Sequence, residues 1–385
     1  MQIIKNKTSI DFIGKRRPAL FVSSVINIAI IVGIAIFGFN FGVDFAGGTL
    51  VEVKFADSIT AAEVRQAAHK GGLPDPQVQA IGGASENSFL LRMGGVTQLT
   101  AEAAQTAETA IRGLGEITEM RKPDLENGFL NFRSKTELEK QKIKDAIEAT
   151  GLGTKEVRFL GQENGQFDYQ VVSAGMADKV KTALTAGLEG KKYEVRRVDY
   201  VGPAVGKQLR NKGIMALLYA MFAILIYVAF RFDLKFGPGA LLAMTHDIIM
   251  VAGYYLISRR EFNLTSIAAL LTVLGYSIND TIVIYDRIRE EMARYKGKPL
   301  PEIINIAVND TLSRTILTGG VTSLSLVGLL IFGVGEIFDF AAAMLVGIVV
   351  GTYSSVYIAS PLVIWLDERQ TRRENSSGSM KAKTA

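Results

Sequence analysis

The chain has 385 residues, 48% hydrophobic and 21% charged, with a mean hydropathy of +0.23. A charged fraction near the soluble average beside a positive mean hydropathy requires the apolar residues to be bunched, the mark of a chain partly in lipid and partly in water. Cysteine is absent and only His69 and His246 are present, which excludes a disulfide framework, a thiolate nucleophile and a histidine-rich metal centre; the net charge of +5 lies largely beside apolar segments, as a topology signal rather than a nucleic-acid footprint.

In chain order, a basic stretch, 1–18, precedes the first run long enough to cross a bilayer, 19–41; crossing takes roughly 20 apolar residues. The run is too long for a signal-peptide core, and Gly42-Val43-Asp44-Phe45 is not a small-residue cleavage site, which favours an uncleaved anchor. Residues 42–212 hold no spanning run. Five further spans follow at 213–230, 239–257, 264–285, 311–333 and 338–366, with a loop at 286–310. The tail, 367–385, is polar and small-residue-rich toward its end, a composition that predicts disorder.

Lys and Arg cluster in the N-terminus (Lys5, Lys7, Lys15, Arg16, Arg17), the 2–3 loop (Arg231, Lys235), the 4–5 loop (Arg287, Arg289, Arg294, Lys296, Lys298) and the tail (Arg369, Arg372, Arg373, Lys381, Lys383). With six spans all four lie on one side, which the positive-inside rule makes cytoplasmic. Arg259 and Arg260 in the 3–4 loop dissent and are outvoted. Both termini read as cytoplasmic and 42–212 as extracytoplasmic.

The long outer segment reads as two similar units, 42–125 and 126–212. In the first, alternation predicts a strand at Thr49–Phe55, the capping box Thr60-x-x-Glu63 opens a helix, strands follow near 77–81 and 88–93, then a helix at 100–112 and a strand near 116–122. The second repeats the order: a strand at 128–133, a helix from Ser134-x-x-Glu137 to Gly151, strands near 156–160 and 167–172, a helix at 176–188 and a strand at 193–199. This βαββαβ order is that of the ferredoxin-like split βαβ fold, which by itself names no function. Gly202-Pro-Ala-Val-Gly206-Lys207-Gln208 imitates a phosphate loop but has one residue too few between its glycines and Gln where a magnesium-binding hydroxyl belongs. No nucleophile or acid–base pair emerges, so the units read as docking modules, the chain as a non-enzyme, and no metal or organic cofactor is expected.

Ionisable residues inside apolar spans carry the functional signal, because a lone charge at mid-membrane costs roughly 2.5–3.5 kcal/mol on insertion scales. Asp280 lies in span four with Tyr276, Ser277 and Asn279 around it. Arg314 lies about one turn inside span five and shares a face with Thr318, Thr322 and Ser325. The two spans are antiparallel, so Asp280 and Arg314 fall at similar depth, as a direct pair or a water-bridged one. Static locking of the bundle competes with a proton path in which a movable arginine switches the carboxylate between its two states. His246 and Asp247 in span three are secondary candidates for a relay, equally readable as a buried hydrogen bond. Gly347-x-x-x-Gly351 predicts a close helix contact.

Several stretches together resemble the SecF family: Phe41-Gly-Val-Asp-Phe-Ala-Gly-Gly-Thr49 after span one, Val198-Asp-Tyr-Val-Gly-Pro203 before span two, His246-Asp247, Gly275-Tyr-Ser-Ile-Asn-Asp-Thr281 with Asp286-Arg-Ile-Arg289, and Thr311-Leu-Ser-Arg-Thr315. The resemblance implies a bacterial inner-membrane subunit of the RND superfamily that pairs with SecD into a bundle of twelve spans. It also implies work beside the SecY channel on unfolded preproteins, with the proton-motive force as driver and protons as the coupling ion. Residue by residue, the proton path falls on Asp280 and Arg314, with His246, Asp247, Asn279 and Tyr276 as further candidates. The family pattern has one ferredoxin-like outer unit where this chain has two, either an insertion into an original unit or a tandem copy. The competing functions are half of an RND-type small-molecule exporter and a passive translocon assembly factor.

Overall fold

The computed structural model describes residues 8–383 apart from 74–75, 82–86, 95–98, 126, 189 and 234; Lys5 and Lys7, counted in the charge pattern, lie outside the described residues. After a 3₁₀ turn the elements run α1 (Arg16–Phe37), α2 (Val43–Ala46), β1 (Gly48–Phe55), α3 (Ala61–Lys70), β2 (Gln77–Ile81), β3 (Ser88–Met93), α4 (Ala101–Arg112) and β4 (Ile117–Met120). Then come β5 (Phe129–Ser134), α5 (Lys140–Glu148), β6 (Thr154–Glu163), β7 (Gln166–Ser173), α6 (Met176–Gly187), β8 (Tyr193–Val201) and α7 (Pro203–Arg231). The last part holds α8 (Gly237–Ser258), α9 (Leu264–Arg294), α10 (Leu300–Phe332), α11 (Glu336–Ser354), a π-helical turn Ser355–Ala359 and α12 (Ser360–Lys383). The chain divides into two units, Met1–Phe41 with Asn211–Ala385, and Gly42–Arg210.

Six helices among the described residues are long and apolar enough to cross a membrane: Ile13–Phe37, Ala204–Arg231, Gly237–Ser258, Leu264–Arg294, Leu300–Phe332 and Glu336–Gln370; all lie in the first unit except the opening of the second, up to Arg210. The chain is a multi-pass membrane protein. Its buried centre comes from α8, α9 and α11, whereas α1, α7 and α10 expose large apolar side chains such as Phe21, Phe222 and Leu324. Gly347 and Gly351 are the close contact their spacing predicts, and it is internal: a Cβ on Gly347 would collide with Val273, and one on Gly351 would lie 2.9 Å from the Cβ of Ser277.

Two boundaries differ from expectation. The loop at 286–310 shrinks to 295–299, because α9 runs on to Arg294 and α10 starts at Leu300. Charge pairs hold these polar ends helical: Arg287 reaches Glu290 and Glu291 on its own helix and Asp310 on α10. The segment 367–385, expected to be irregular, is helical as far as Lys383. Polar composition removes an apolar face, but the segment has no proline to stop a helix propagated from the preceding span.

The outer unit contains two four-stranded antiparallel sheets, ordered β2-β3-β1-β8 and β4-β5-β7-β6. Both orders, with helices on one face, are ferredoxin-like. The strands form because apolar residues alternate: Val51, Val53 and Phe55 point to one core with Phe89, Leu91, Val64 and Leu184. Leu130 and Phe132 point to another with Tyr169, Val171, Ile111 and Ile143.

The division at 125/126 does not hold in space. α4 and β4, from the first sequence repeat, complete the second sheet, and α6 and β8, from the second repeat, complete the first. The second ferredoxin-like unit is therefore a continuous insert, from α4 to β7, between β3 and α6. Close helix packing seals the exchange. A Cβ added to Gly71 would run into the backbone of Ala183 on α6, and one added to Gly187 into the backbone of Ala67 on α3. The capping box expected at Ser134 is also absent: Ser134 is the fully buried end of β5, and α5 starts later, at Lys140. The box at Thr60–Glu63 forms, and its hydrogen bonds hold the Glu63 carboxyl below the usual range.

Candidate functional site

Two buried carboxylates sit in the middle of the helical unit, in different surroundings. Asp247 on α8 has 0% exposure. It accepts hydrogen bonds from Ser277 on α9, from Ser354 Oγ on α11 at 2.9 Å, and from its neighbour His246 Nδ1 at 2.9 Å. Gly351 is what lets Ser277 come this close to α11. The His246 ring stacks on Tyr353 at 6.1 Å, and Tyr353 is hydrogen-bonded to Ser23 on α1 at 2.9 Å. This cluster ties four helices together.

Asp280 lies one turn further along α9 from Ser277 and is 3% exposed. Its only hydrogen bond among the described residues is long, 3.4 Å from Thr352 Oγ1 on α11. Arg314 on α10 is within electrostatic reach, but neither a hydrogen bond nor an ion pair joins the two among the described residues. Arg314 is itself exposed on the chain, beside the exposed apolar Ile316, Leu317 and Val321. Two buried hydroxyls, Tyr276 OH and Thr315 Oγ1, have no hydrogen-bond partner among the described residues.

The structure thus brings Asp280 near Tyr276 and Arg314 and puts His246 and Asp247 in a separate cluster, in which Asp247 is multiply bonded while His246 Nε2 is buried without a hydrogen-bond partner among the described residues. Asn279 is exposed; adjacent helical residues point about 100° apart, so it leaves the cluster its neighbour enters. Thr352 carries no signal in the sequence, and Thr315 stands there only as the end of the Thr311–Thr315 stretch, because hydroxyls in spans commonly bond back to their own helix, as Thr318 and Thr322 do here. At the opposite end of the bundle, Asp339 is buried, not solvated as a terminal acid would be, and Arg260 binds it at 2.8 Å. Arg259 caps α8 in the left-handed conformation and donates to the carbonyls of Phe37 and Gly38. The two dissenting arginines of the 3–4 loop therefore have local structural work.

In the outer unit, the stretch after span one and the stretch before α7 meet. Gly206 allows this: a Cβ there would lie 3.1 Å from the Phe45 carbonyl and 3.3 Å from that of Asp44. The phosphate-loop imitation is thus a helix start packed on backbone. Gly48 has φ of +132°, and a Cβ there would lie 2.5 Å from the Met93 carbonyl, which restricts the position to glycine.

The segment after span one lies within residues 32–59, which match the SecD/SecF GG motif, and the segment around Gly206 lies within residues 180–369, which match the family described as protein export membrane protein SecD/SecF, C-terminal. The protein translocase subunit SecF of Magnetococcus marinus is 40% identical over 373 residues, spanning 97% of both chains. The chain belongs to the SecD/SecF family. The SecF subunit of Koribacter versatilis is 36% identical over 97% of this chain and 95% of its own length. Among solved structures, the translocon-associated membrane protein SecDF from a Thermus species superposes with a TM-score of 0.62 at 28% identity. The match covers 96% of this chain and 40% of that one, so this chain spans well under half of the SecDF polypeptide.

Proposed function

We propose that the chain is the SecF-type half of a proton-driven export machine. It pairs with a SecD-type partner in the bacterial inner membrane, with both termini cytoplasmic and the ferredoxin-like units outside, and promotes passage of unfolded preproteins through the SecY channel. The observation that carries this is the pairing of a nearly dry, under-bonded Asp280 with an Arg314 left exposed on an apolar face. A guanidinium facing lipid is costly, by roughly 2.5–3.5 kcal/mol on insertion scales. That face of α10 therefore calls for a second bundle against it, as a SecD-type half supplies, and the family relationship supports the same partner.

In this scheme Asp280 takes a proton from the outer side and releases it to the cytoplasm. Arg314 moves toward the ionised carboxylate and away from the neutral one. The two arrangements bias the outer units between two states. One charge moved through 100 mV supplies about 2.3 kcal/mol, enough to shift a two-state equilibrium substantially. Asp247, already saturated, holds the helices against which the movement occurs. The chain acts as a translocation accessory subunit, with protons as its only coupling species.

The test is preprotein translocation into vesicles carrying the Arg314→Ala chain and its SecD-type partner. Loss of the stimulation by the proton gradient, with assembly intact, supports the scheme; wild-type stimulation sinks it. A passive assembly factor would instead lose complex abundance and keep its gradient dependence. Copurification with an exporter's components rather than with SecD and SecY would favour the exporter reading.

A further inference from the structure

Three helices converge beside Asp280 on a position that lacks a side chain. Gly319 on α10 is buried and lies one turn beyond Thr315 on the same face. A Cβ built there would stand 3.8 Å from Thr352 Oγ1, 3.9 Å from Tyr276 OH and 3.6 Å from Ile348 Cγ2. All are ordinary van der Waals distances, so the glycine leaves room for about one small group between hydroxyls from α9 and α11, with Thr315 one turn away on the same face of α10. Two of these hydroxyls are orphans. Thr315, 4% exposed, and Tyr276 OH have no hydrogen-bond partner among the described residues, whereas buried polar groups in folded proteins are nearly always paired. The third, Thr352 Oγ1, is the one bonded to Asp280. A buried water requires about two to four polar partners, and this gap offers that number.

We propose that Gly319 keeps open a water-binding site, lined by Tyr276 OH, Thr315 Oγ1 and Thr352 Oγ1, through which Asp280 exchanges its proton. The inference rests on the proton-coupled reading above and deepens it. In the exchange a hydronium at the site loses one proton, an O–H bond forms on the Asp280 carboxylate, and neutral water remains held by the hydroxyls; release is the reverse. Thr315 and Tyr276 are positioning residues for the water, and Asp280 alone carries the charge.

The experiment uses the chain in complex with its SecD-type partner and has two arms. X-ray hydroxyl-radical footprinting reads bound water directly, with Tyr276 as the reporter and Tyr200, exposed on β8 of the outer unit, as control. Wild type labels Tyr276; Gly319→Ala, whose methyl fills the gap without a clash, cuts that labelling about tenfold and leaves Tyr200 unchanged. Gly319→Ser, whose hydroxyl stands in for the water, also lowers labelling. In the second arm, gradient-driven translocation falls about tenfold in Gly319→Ala and recovers at least in part in Gly319→Ser. Absence of Tyr276 labelling in wild type, or equal labelling in Gly319→Ala, overturns the site. Lost labelling with full translocation overturns its role in proton exchange. If Asp280→Asn leaves gradient dependence intact, the proton-coupled reading fails, while footprinting still reports on the water. A melting curve for each variant separates misfolding from either effect.

Discussion

Asp247 and Asp280 lie in the same bundle, on neighbouring helices, and both are almost completely buried, yet their surroundings differ. Asp247 receives three hydrogen bonds from three helices. Asp280 receives one, at 3.4 Å, and its nearest cation, Arg314, stays out of contact. Buried carboxylates persist when they are hydrogen-bonded or paired. A carboxylate bonded from three helices crosslinks them. One that receives a single long hydrogen bond, with two orphan hydroxyls near it, does so far less.

The sharpest way to break this comparison is to neutralise each carboxylate in turn. Asp280→Asn keeps shape and loses the titrating group, so gradient-driven translocation is expected to fall to background while the purified complex melts within a few degrees of wild type. Asp247→Ala strands the donors of Ser277 and His246, while the Ser354 hydroxyl keeps the Gly351 carbonyl at 3.1 Å, and each stranded buried donor costs about 1–3 kcal/mol. That variant is expected to lose thermal stability and membrane abundance first, with transport per folded molecule largely kept. Equal transport loss at equal abundance in the two variants would erase the distinction.

The same contrast explains what was legible in the sequence. Asp280 and Arg314 stand out because charge in an apolar run is rare, and helix direction then sets their depth. Thr315, Thr352 and Gly319 do not stand out: a hydroxyl or a glycine in a span is cheap, and only the packing of three helices gives these a shared focus. Outside the bundle, alternation located every strand to within a few residues, because each sheet buries one face. The exchange of α4–β4 with α6–β8 was hidden for a different reason. Two βαββαβ repeats have the same element order whether each closes on itself or on the other. What distinguishes the two is the fit of Gly71 against α6 and Gly187 against α3, a property of surfaces far apart in the chain. Ser134 misled because Ser-x-x-Glu is a local pattern, and the strand pairing that claims Ser134 is not local.

Gly187→Val carries the comparison to the helix exchange of the outer unit, where apolar packing does the stabilising. The side chain would meet the backbone of α3, and overpacking of this kind costs about 1–3 kcal/mol. The expected outcome is protease sensitivity beginning in the sheet β2-β3-β1-β8, detected by the sites of first cleavage, with Ala101–Ser173 surviving longer because it has its own core. Simultaneous cleavage in both sheets would show that the exchange fuses them into one cooperative body.

The smallest effect belongs to a third carboxylate, Asp168 on β7. Arg133 binds it in a fork, at 2.7 and 2.8 Å, and both side chains keep about a fifth of their surface in water (21% and 19%). The Arg133 hydrogen bond holds the Asp168 carboxyl below its ordinary value of 3.8. A carboxyl with a lower value in the folded state binds fewer protons there than when unfolded. It therefore adds stability that is complete above the ordinary value of 3.8 and lost as pH falls toward the folded one. Asp168→Asn is accordingly expected to lower the melting temperature slightly, by a constant amount between neutral pH and pH of about 5, and by a shrinking amount below the ordinary carboxylate range. A difference that stays constant into strong acid would mean that the fork contributes through shape alone.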